Sequence, residues 1–277
     1  MRTWLGTSSG GHLVDDARVS VLDHGFTVAD GVFETMKATQ AGAVAVTRHL
    51  RRLGTSASML GLPDPDHDVI RAAIDEVIGS WIADGGVLGR LRITYTAGPG
   101  PLGSSRGDGE PTLVVACVDT PPWESTTSAV TVPWTRNERS AVAGAKTTSY
   151  AENVVALRRA HEMGASEALL ANSVGDLCEG TGTNVFVVMD GRVLTPPLSS
   201  GCLAGITREL VLEWFDVAEE TLPVDVLTYA DEVFLTSSTR DVHPVVRLDE
   251  RVWAAPGPVS DRLRAAFPAR IAQDIDP

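Results

Sequence analysis

The apolar positions change period several times along the chain, and each change predicts an element. WLG and HLV flank the turn cluster TSSGG, so residues 4–14 read as a hairpin. Strand-like runs follow at 18–22, 32–38 and 41–46. From 48 to 60 the period lengthens: Leu50, Leu53, Ala57 and Leu60 recur at spacings of three and four, one face of a helix. A second helix is predicted from an Asp68 cap to Ile82, with Ile70, Ile74, Ile78 and Ile82 at every fourth position and Gly85-Gly86 as its stop. Leu91, Ile93 and Tyr95 alternate through 89–96, a strand whose expected antiparallel partner is TLVVACV at 112–118. The loop 98–111 between them is long and Gly-rich enough to act as a lid. TPPWEST at 120–126 then interrupts the pattern and is the expected linker between domains at 1–119 and 127–277. Beyond it VTVPW is a strand, and 149–163 a helix with Val154, Val155, Leu157 and Ala160 inward. EALLAN and NVFVVMD are strands on either side of the turn SVGD, and VLTPP follows. A helix is predicted over 206–215, with Ile206, Leu210 and Trp214 in one stripe, and then the strands EVFLTSS and VHPVVRL. The result is an α/β chain of the α+β kind, with no internal repeat.

Composition narrows the class. The 277 residues are 43% hydrophobic, enough for one or two globular domains. Formal charge is 23 − 36 = −13, which argues against a protein that tracks nucleic-acid backbones. No apolar run approaches the roughly 18 residues that span a bilayer, so no membrane partner is expected, and a cytoplasmic location is the default. Cys117, Cys178 and Cys202 are too few and too far apart for a disulfide framework or a zinc knuckle. The six histidines form no H-E-x-x-H, and Asp23, His24 and Asp30 read as a polar turn, so no metal site is expected.

Some motifs fail on context. GTSSG and GSSRG fit G-x-S-x-G, but one lies in a hairpin turn and the other in a Gly/Pro loop, where a nucleophilic serine has no strand-to-helix elbow. EGTGTNV offers G-x-G with Val185 at the third glycine position and a strand after it, which excludes a dinucleotide fingerprint. What remains is a scattered set. Gly205-Ile206-Thr207 opens a helix, whose N-terminal N–H groups and dipole favour an anion. Thr236 to Arg240 present five donor-bearing side chains in a row, a pattern shared by phosphate sites and solvated turns. Arg51 and Arg52 are either anion ligands or surface charges. Lys146 sits in the small, apolar run AVAGAKTTSY, where loss of water favours a neutral amine, the nucleophilic form. Glu179 precedes an apolar strand, where a carboxylate must be paired. An amine, a carboxylate and several phosphate donors together suit pyridoxal 5'-phosphate, a cofactor with an aldehyde, a ring nitrogen and a phosphate.

DHGFTVADGVFET, HLRRLGTSA, GAKTTSYAENVVAL, SEALLANSVGDLCEGTGTNVFVV, CLAGITREL and FLTSSTRDVHPV, in this order over about 18–247, resemble the class IV (fold type IV) pyridoxal-phosphate aminotransferases. That group includes branched-chain and D-amino-acid aminotransferases, R-selective amine transaminases and aminodeoxychorismate lyase. The resemblance implies two domains, a small N-terminal α+β one and a larger C-terminal pseudo-barrel, in a homodimer. It implies an enzyme that moves an amino group between an amino acid or chiral amine and a 2-oxo acid. Lys146 would hold the cofactor as a Schiff base and Glu179 would pair with its ring nitrogen. Arg52, Gly205, Ile206, Thr207 and Ser238 would grip the phosphate. Thr35, Arg92, Thr239 and Arg240 are the substrate candidates. Tyr150 is the candidate for the cofactor's phenolic oxygen, one position earlier than the tyrosine of the branched-chain branch. Ala97 stands where the D-amino-acid branch carries an arginine. Thr35 stands where branched-chain enzymes tend to have Gly, which points toward the alternative, a lyase releasing pyruvate and 4-aminobenzoate. A phosphate-ligand binding module without chemistry is the non-enzymatic reading.

Overall fold

The computed structural model describes residues 1–277, which form two compact units: Met1–Pro122 with Ala145–Ser149 and Asp274–Pro277, and Trp123–Gly144 with Tyr150–Gln273.

The first unit is an antiparallel sheet of six strands in the order β2-β1-β6-β5-β3-β4: β1 Arg2–Thr7, β2 Gly10–Val14, β3 Gly31–Thr39, β4 Gly42–Ala43, β5 Leu88–Thr96 and β6 Thr112–Asp119. A short helix, α1 (His24–Thr27), precedes β3, and α2 (Val46–Leu60) and α3 (His67–Ala83) follow β4. The apolar stripes of α2 and α3 close over Trp4, Val32, Met36, Leu91, Ile93 and Val115 of the sheet. The hairpin, both helices and the β5–β6 pair match the sequence pattern. Three details differ. Residues 18–22 form no strand: Val19, Val21 and Leu22 are exposed, with no neighbouring strand to pair with. The run 41–46 keeps only the two residues of β4, because Ala45 turns left-handed (φ 56°) to start α2. Helix α3 begins two residues early, capped by Asp66, whose carboxylate accepts from the amides of Asp68 and Val69.

Helix α2 is capped from a distance. Ala45 offers no side-chain cap, and Asp276 fills the role: its Oδ1 accepts from the Thr47 amide at 2.7 Å and its Oδ2 from the Thr47 hydroxyl at 2.6 Å. The Ala45 amide donates to the Ile275 carbonyl at 2.7 Å.

The lysine segment, expected with residues 127–277, also groups with the first unit. β3 pairs with β4 only at Ala38 and Thr39, which leaves its beginning as a bare edge. Residues 146–148 cover that edge: Phe33 N–H donates to the Lys146 carbonyl at 3.0 Å, and Thr148 N–H to the Gly31 carbonyl at 2.8 Å.

The second unit is a mixed, curled sheet in the order β12-β11-β10-β13-β14-β7-β8-β9, with β15 beside β14. The strands are β7 Thr127–Arg136, β8 Glu167–Asn172, β9 Leu177–Gly180, β10 Asn184–Met189, β11 Arg192–Thr195, β12 Val217–Glu219, β13 Glu232–Ser237, β14 Asp241–Leu248 and β15 Arg251–Val252. The helices are α4 (Ala151–Glu162), α5 (Ile206–Trp214) and α6 (Pro258–Ile271). The sequence pattern marks most of these, but not β9, β12, β15 or α6. In α4 the predicted face is half right: Ala160 is buried and Leu157 half-buried as expected, but Val154 and Val155 are exposed and Asn153 and Ala156 are buried in their place. Small residues let the helix approach Val130 and Ala168 closely, and Asn153 reaches the Thr181 carbonyl through its amide.

Candidate active site

In the first unit β3 and α2 present two sets of side chains. Alternation along β3 sends Phe33 and Thr35 to one face and Glu34 to the other. Arg92 lies directly across from Thr35 on β5, so the two share that first face. The Arg92 guanidinium lies 3.8 Å and the Lys146 Nζ 4.4 Å from the centre of the Phe33 ring, so two cations meet one buried aromatic. The structure therefore brings Lys146, Arg92 and Thr35 together. Lys146 is half-buried, and its backbone is fixed by its N–H donating to the Ser56 hydroxyl of α2 at 3.0 Å. On the other face the fully buried Glu34 takes a side-on fork from Arg52, Nε to Oε1 at 2.8 Å and Nη2 to Oε2 at 2.6 Å, and Nδ1 of His49 lies 2.6 Å from Oε2. Despite burial, the Arg52 charge and the hydrogen bonds from Arg52 and His49 hold the Glu34 carboxyl at about 2, well below the usual range. Burial pushes His49 the other way, down from 6.5, and the nearby cations of Arg52 and Lys146 add to this. Arg52, a sequence candidate, thus has a defined orientation; Glu34 and His49 were not foreseen.

The loop 98–111 is strapped down. Arg106 forks onto Asp30 at 2.6 Å through both Nε and Nη2 and donates to the carbonyls of Leu60 and Gly61 at 2.7 Å, satisfying the end of α2. Asp23 accepts from the Gly25 amide and from the hydroxyls of Thr96 and Thr112, so its carboxylate is committed to holding the DHG turn.

In the second unit the buried Glu179 ends β9 beside the start of α5. Its Oε2 accepts from the Leu203 amide at 2.9 Å, and Gly205, two residues on, is the N-cap of α5. Gly205 has no substitute, since a Cβ there would lie 1.9 Å from the Asn184 Oδ1. The cap supplies no side-chain acceptor to the first turn, where Ile206 and Thr207 are buried. Glu179 Oε1 lies 3.0 Å from Arg136 Nε, but the N–H is not aligned on the oxygen, so the contact is an ion pair rather than a hydrogen bond. Asn153 orients that arginine, its Oδ1 accepting from Nη1 and Nη2 at 3.2 and 3.3 Å. Arg136 lies outside the stretches that carry the resemblance, and Asn153, inside GAKTTSYAENVVAL, has nothing in its local pattern that marks it as a partner of Arg136. Thr236, directly opposite Asn184 on β13, buries a hydroxyl that has no hydrogen-bond partner. Ser238 and Thr239 lie half-buried in the turn after β13. Tyr150 stands at the N-cap of α4, half-buried and without a side-chain capping bond.

Arg240 is placed differently from a substrate ligand. Its side chain is only 8% exposed, lies 4.0 Å over the Trp123 ring and 3.7 Å from Glu167, and donates to the Ser166 carbonyl at 3.1 Å. It ties the start of β14 to β8.

A carboxylate held near an arginine, fixed to the loop that starts an uncapped helix, fits a ring nitrogen and a phosphate. The sequence model of amino-transferase class IV matches residues 31–248. The chain belongs to the class IV aminotransferases. A protein provisionally named a branched-chain-amino-acid aminotransferase, from Methanocaldococcus jannaschii, is 34% identical over 272 residues, 93% of each chain. A bifunctional aminodeoxychorismate lyase / D-amino acid transaminase of Mycobacterium tuberculosis is 30% identical, covering 80% of this chain and 83% of its own. The pyridoxal-phosphate-bound structure of a hypothetical aminotransferase from Mycobacterium tuberculosis superposes with a TM-score of 0.85 at 28% identity, covering 98% of this chain and 99% of that one. This class IV aminotransferase uses pyridoxal phosphate to exchange an amino group between an amino acid and a 2-oxo acid. No helix is long and apolar enough to cross a membrane.

Proposed function

We propose that the transaminase works through Lys146 and Glu179, with the start of α5 and Arg52 serving the same cofactor. When bound, pyridoxal phosphate supplies an aldehyde carbon for amine exchange and a ring that accepts the electron pair released at the substrate Cα. As the free amine, Lys146 Nζ takes the proton from Cα and returns it after exchange. Glu179, kept near the Arg136 charge, holds a proton on the ring nitrogen. The amides of Ile206 and Thr207, the hydroxyls of Thr207 and Ser238, and the Arg52 guanidinium hold the phosphate, with Gly205 allowing the close approach. The observation that carries this reading is the Glu179–Leu203 bond, which places a buried carboxylate beside an uncapped helix start.

For the substrate carboxylate, Arg92 is favoured over Arg240, because its guanidinium is exposed and lies against the ring that also contacts Lys146 Nζ. Thr35 shares its face, Thr239 lines the turn after β13, and Tyr150 is assigned to the cofactor's phenolic oxygen. A second copy of the chain completes the enzyme as a homodimer: Val19, Val21, Leu22, Phe26 and Val28 are exposed within ten residues, an apolar stretch that a partner would cover. Light scattering at micromolar concentration reads that state directly.

Borohydride reduction of the holoprotein followed by peptide mapping is expected to leave the cofactor mass on Lys146, and Lys146→Ala to lower turnover by about 10⁴-fold or more, the upper range of general acid–base catalysis. A label on another residue would sink the assignment. The lyase reading is favoured by Thr35 and by the name of the Mycobacterium tuberculosis relative. It predicts pyruvate from aminodeoxychorismate with no amino acceptor added.

A further inference from the structure

We propose that Glu34 and His49 are positioning residues that fix the Arg52 guanidinium for the cofactor's phosphate. The proposal rests on the reading above, in which Arg52 binds that phosphate.

His49 and Arg52 are three residues apart on α2 and so share a face, and that face meets the side of β3 that carries Glu34. The fork uses the Nε and Nη2 edge of the guanidinium. A planar group held on two nitrogens has one orientation, with Nη1 directed away from Glu34. His49 is only 1% exposed and Glu34 not at all, so water does not compete for either carboxylate oxygen. The neutral histidine donates through Nδ1 to the oxygen that also takes Nη2, which stops the carboxylate rotating out of the fork.

A purely structural role explains the cluster less well. Leu50, Leu53, Val32 and Met36 surround this part of the unit, and an apolar trio would join β3 to α2 without desolvating an ion pair. The polar set is selected by what it does to the one member whose side chain reaches the surface of the cluster, Arg52, 10% exposed against 1% and 0%. Glu34 also offsets the arginine's charge, so the site would hold a phosphate by direction rather than by excess positive charge.

The test uses apoprotein titrated with pyridoxal phosphate, reading the dissociation constant by protein fluorescence and the bound phosphate by its ³¹P chemical shift. Arg52→Ala should raise the dissociation constant about 100-fold, and Glu34→Gln and His49→Ala about tenfold each, the range of hydrogen bonds to charged groups. His49→Asn, whose amide can replace the Nδ1–H, should recover most of the loss. Added to Arg52→Ala, Glu34→Gln should change nothing further. Thermal melts identify any variant that fails to fold, and the His49→Ala and His49→Asn pair carries the test should Glu34→Gln be one. If Arg52→Ala weakens binding while Glu34→Gln and His49→Ala leave affinity and ³¹P shift unchanged, the positioning role is overturned. The same follows if Glu34→Gln keeps its full effect in the Arg52→Ala background. If Arg52→Ala itself leaves both readouts unchanged, the phosphate assignment of Arg52 fails, and the positioning role goes with it.

Discussion

Two buried glutamates, one in each unit, are each paired with an arginine, and the pairs are built differently. Glu34 is locked into an aligned fork with Arg52 and a third bond from His49. Glu179 meets Arg136 without alignment and accepts from the Leu203 amide. An aligned, doubly bonded carboxylate has most of its acceptor capacity committed to protein. The contact between Glu179 and Arg136 is one of charge, without the alignment of a fork. The first pair is organised around its arginine, the second around its glutamate.

That contrast can be broken by exchange of single groups. Glu179→Gln removes the charge that keeps a ring nitrogen protonated and should lower kcat by about 10²–10³-fold, the size of losing one preorganised electrostatic group; a rate near that of the parent would remove Glu179 from the chemistry. Arg136→Leu should act through Glu179, lowering kcat about tenfold and adding nothing further in the Glu179→Gln background. An unchanged kcat would make Arg136 a packing residue.

Acid unfolding separates the buried histidines from Glu34 by pH window. Burial, with the Arg240 charge added, pushes His243 of the second unit from 6.5 down to about 4, so the unfolded chain takes up its proton first. Stability should therefore fall as pH drops from 6.5 toward 4, and His243→Leu should flatten that part of the curve. His49, also lowered, contributes with the same sign. Glu34 is depressed from 4.5 to about 2, so its contribution is complete above 4.5 and is lost only as pH falls through 2. Urea melts at half-unit pH steps resolve the windows, and loss of Glu34's contribution above pH 4.5 would contradict its ionised state.

The smallest effect expected is at the far end of α2. Asp276→Ala removes the cap bonded to Thr47 and should cost about 1 kcal/mol, a Tm change of about 2–4 °C for a domain of this size. A fall in cofactor affinity larger than the stability loss would show that the cap also sets the register of the Arg52 helix.

Much of the architecture could be read from periodicity, because the α2, α3 and β5 patterns coincide with the faces that become buried. Periodicity failed where packing followed another rule. In α4, Val154 and Val155 lost the inward face to Asn153 and Ala156, since close approach favoured small side chains beside the expected Ala160. At 18–22 an apolar run formed no strand because nothing within the chain pairs with it. The same division holds for the site. The chemical character of Lys146, Glu179 and Gly205-Ile206-Thr207 is visible in their local sequence. Arg136 and Asn153 are ordinary surface-type residues by composition, and only their approach to Glu179 gives them a role.

The sequence by itself determined which side chains could carry charge, donate to an anion or act as an amine, because those are properties of residue types and of their immediate neighbours. Tertiary structure alone decided that Arg52 faces Glu34, that Arg240 is held against Trp123, and that a carboxylate 229 residues away caps α2. Such pairings are fixed by burial and by the single orientation in which each buried charge finds its partners, and no local pattern encodes that geometry.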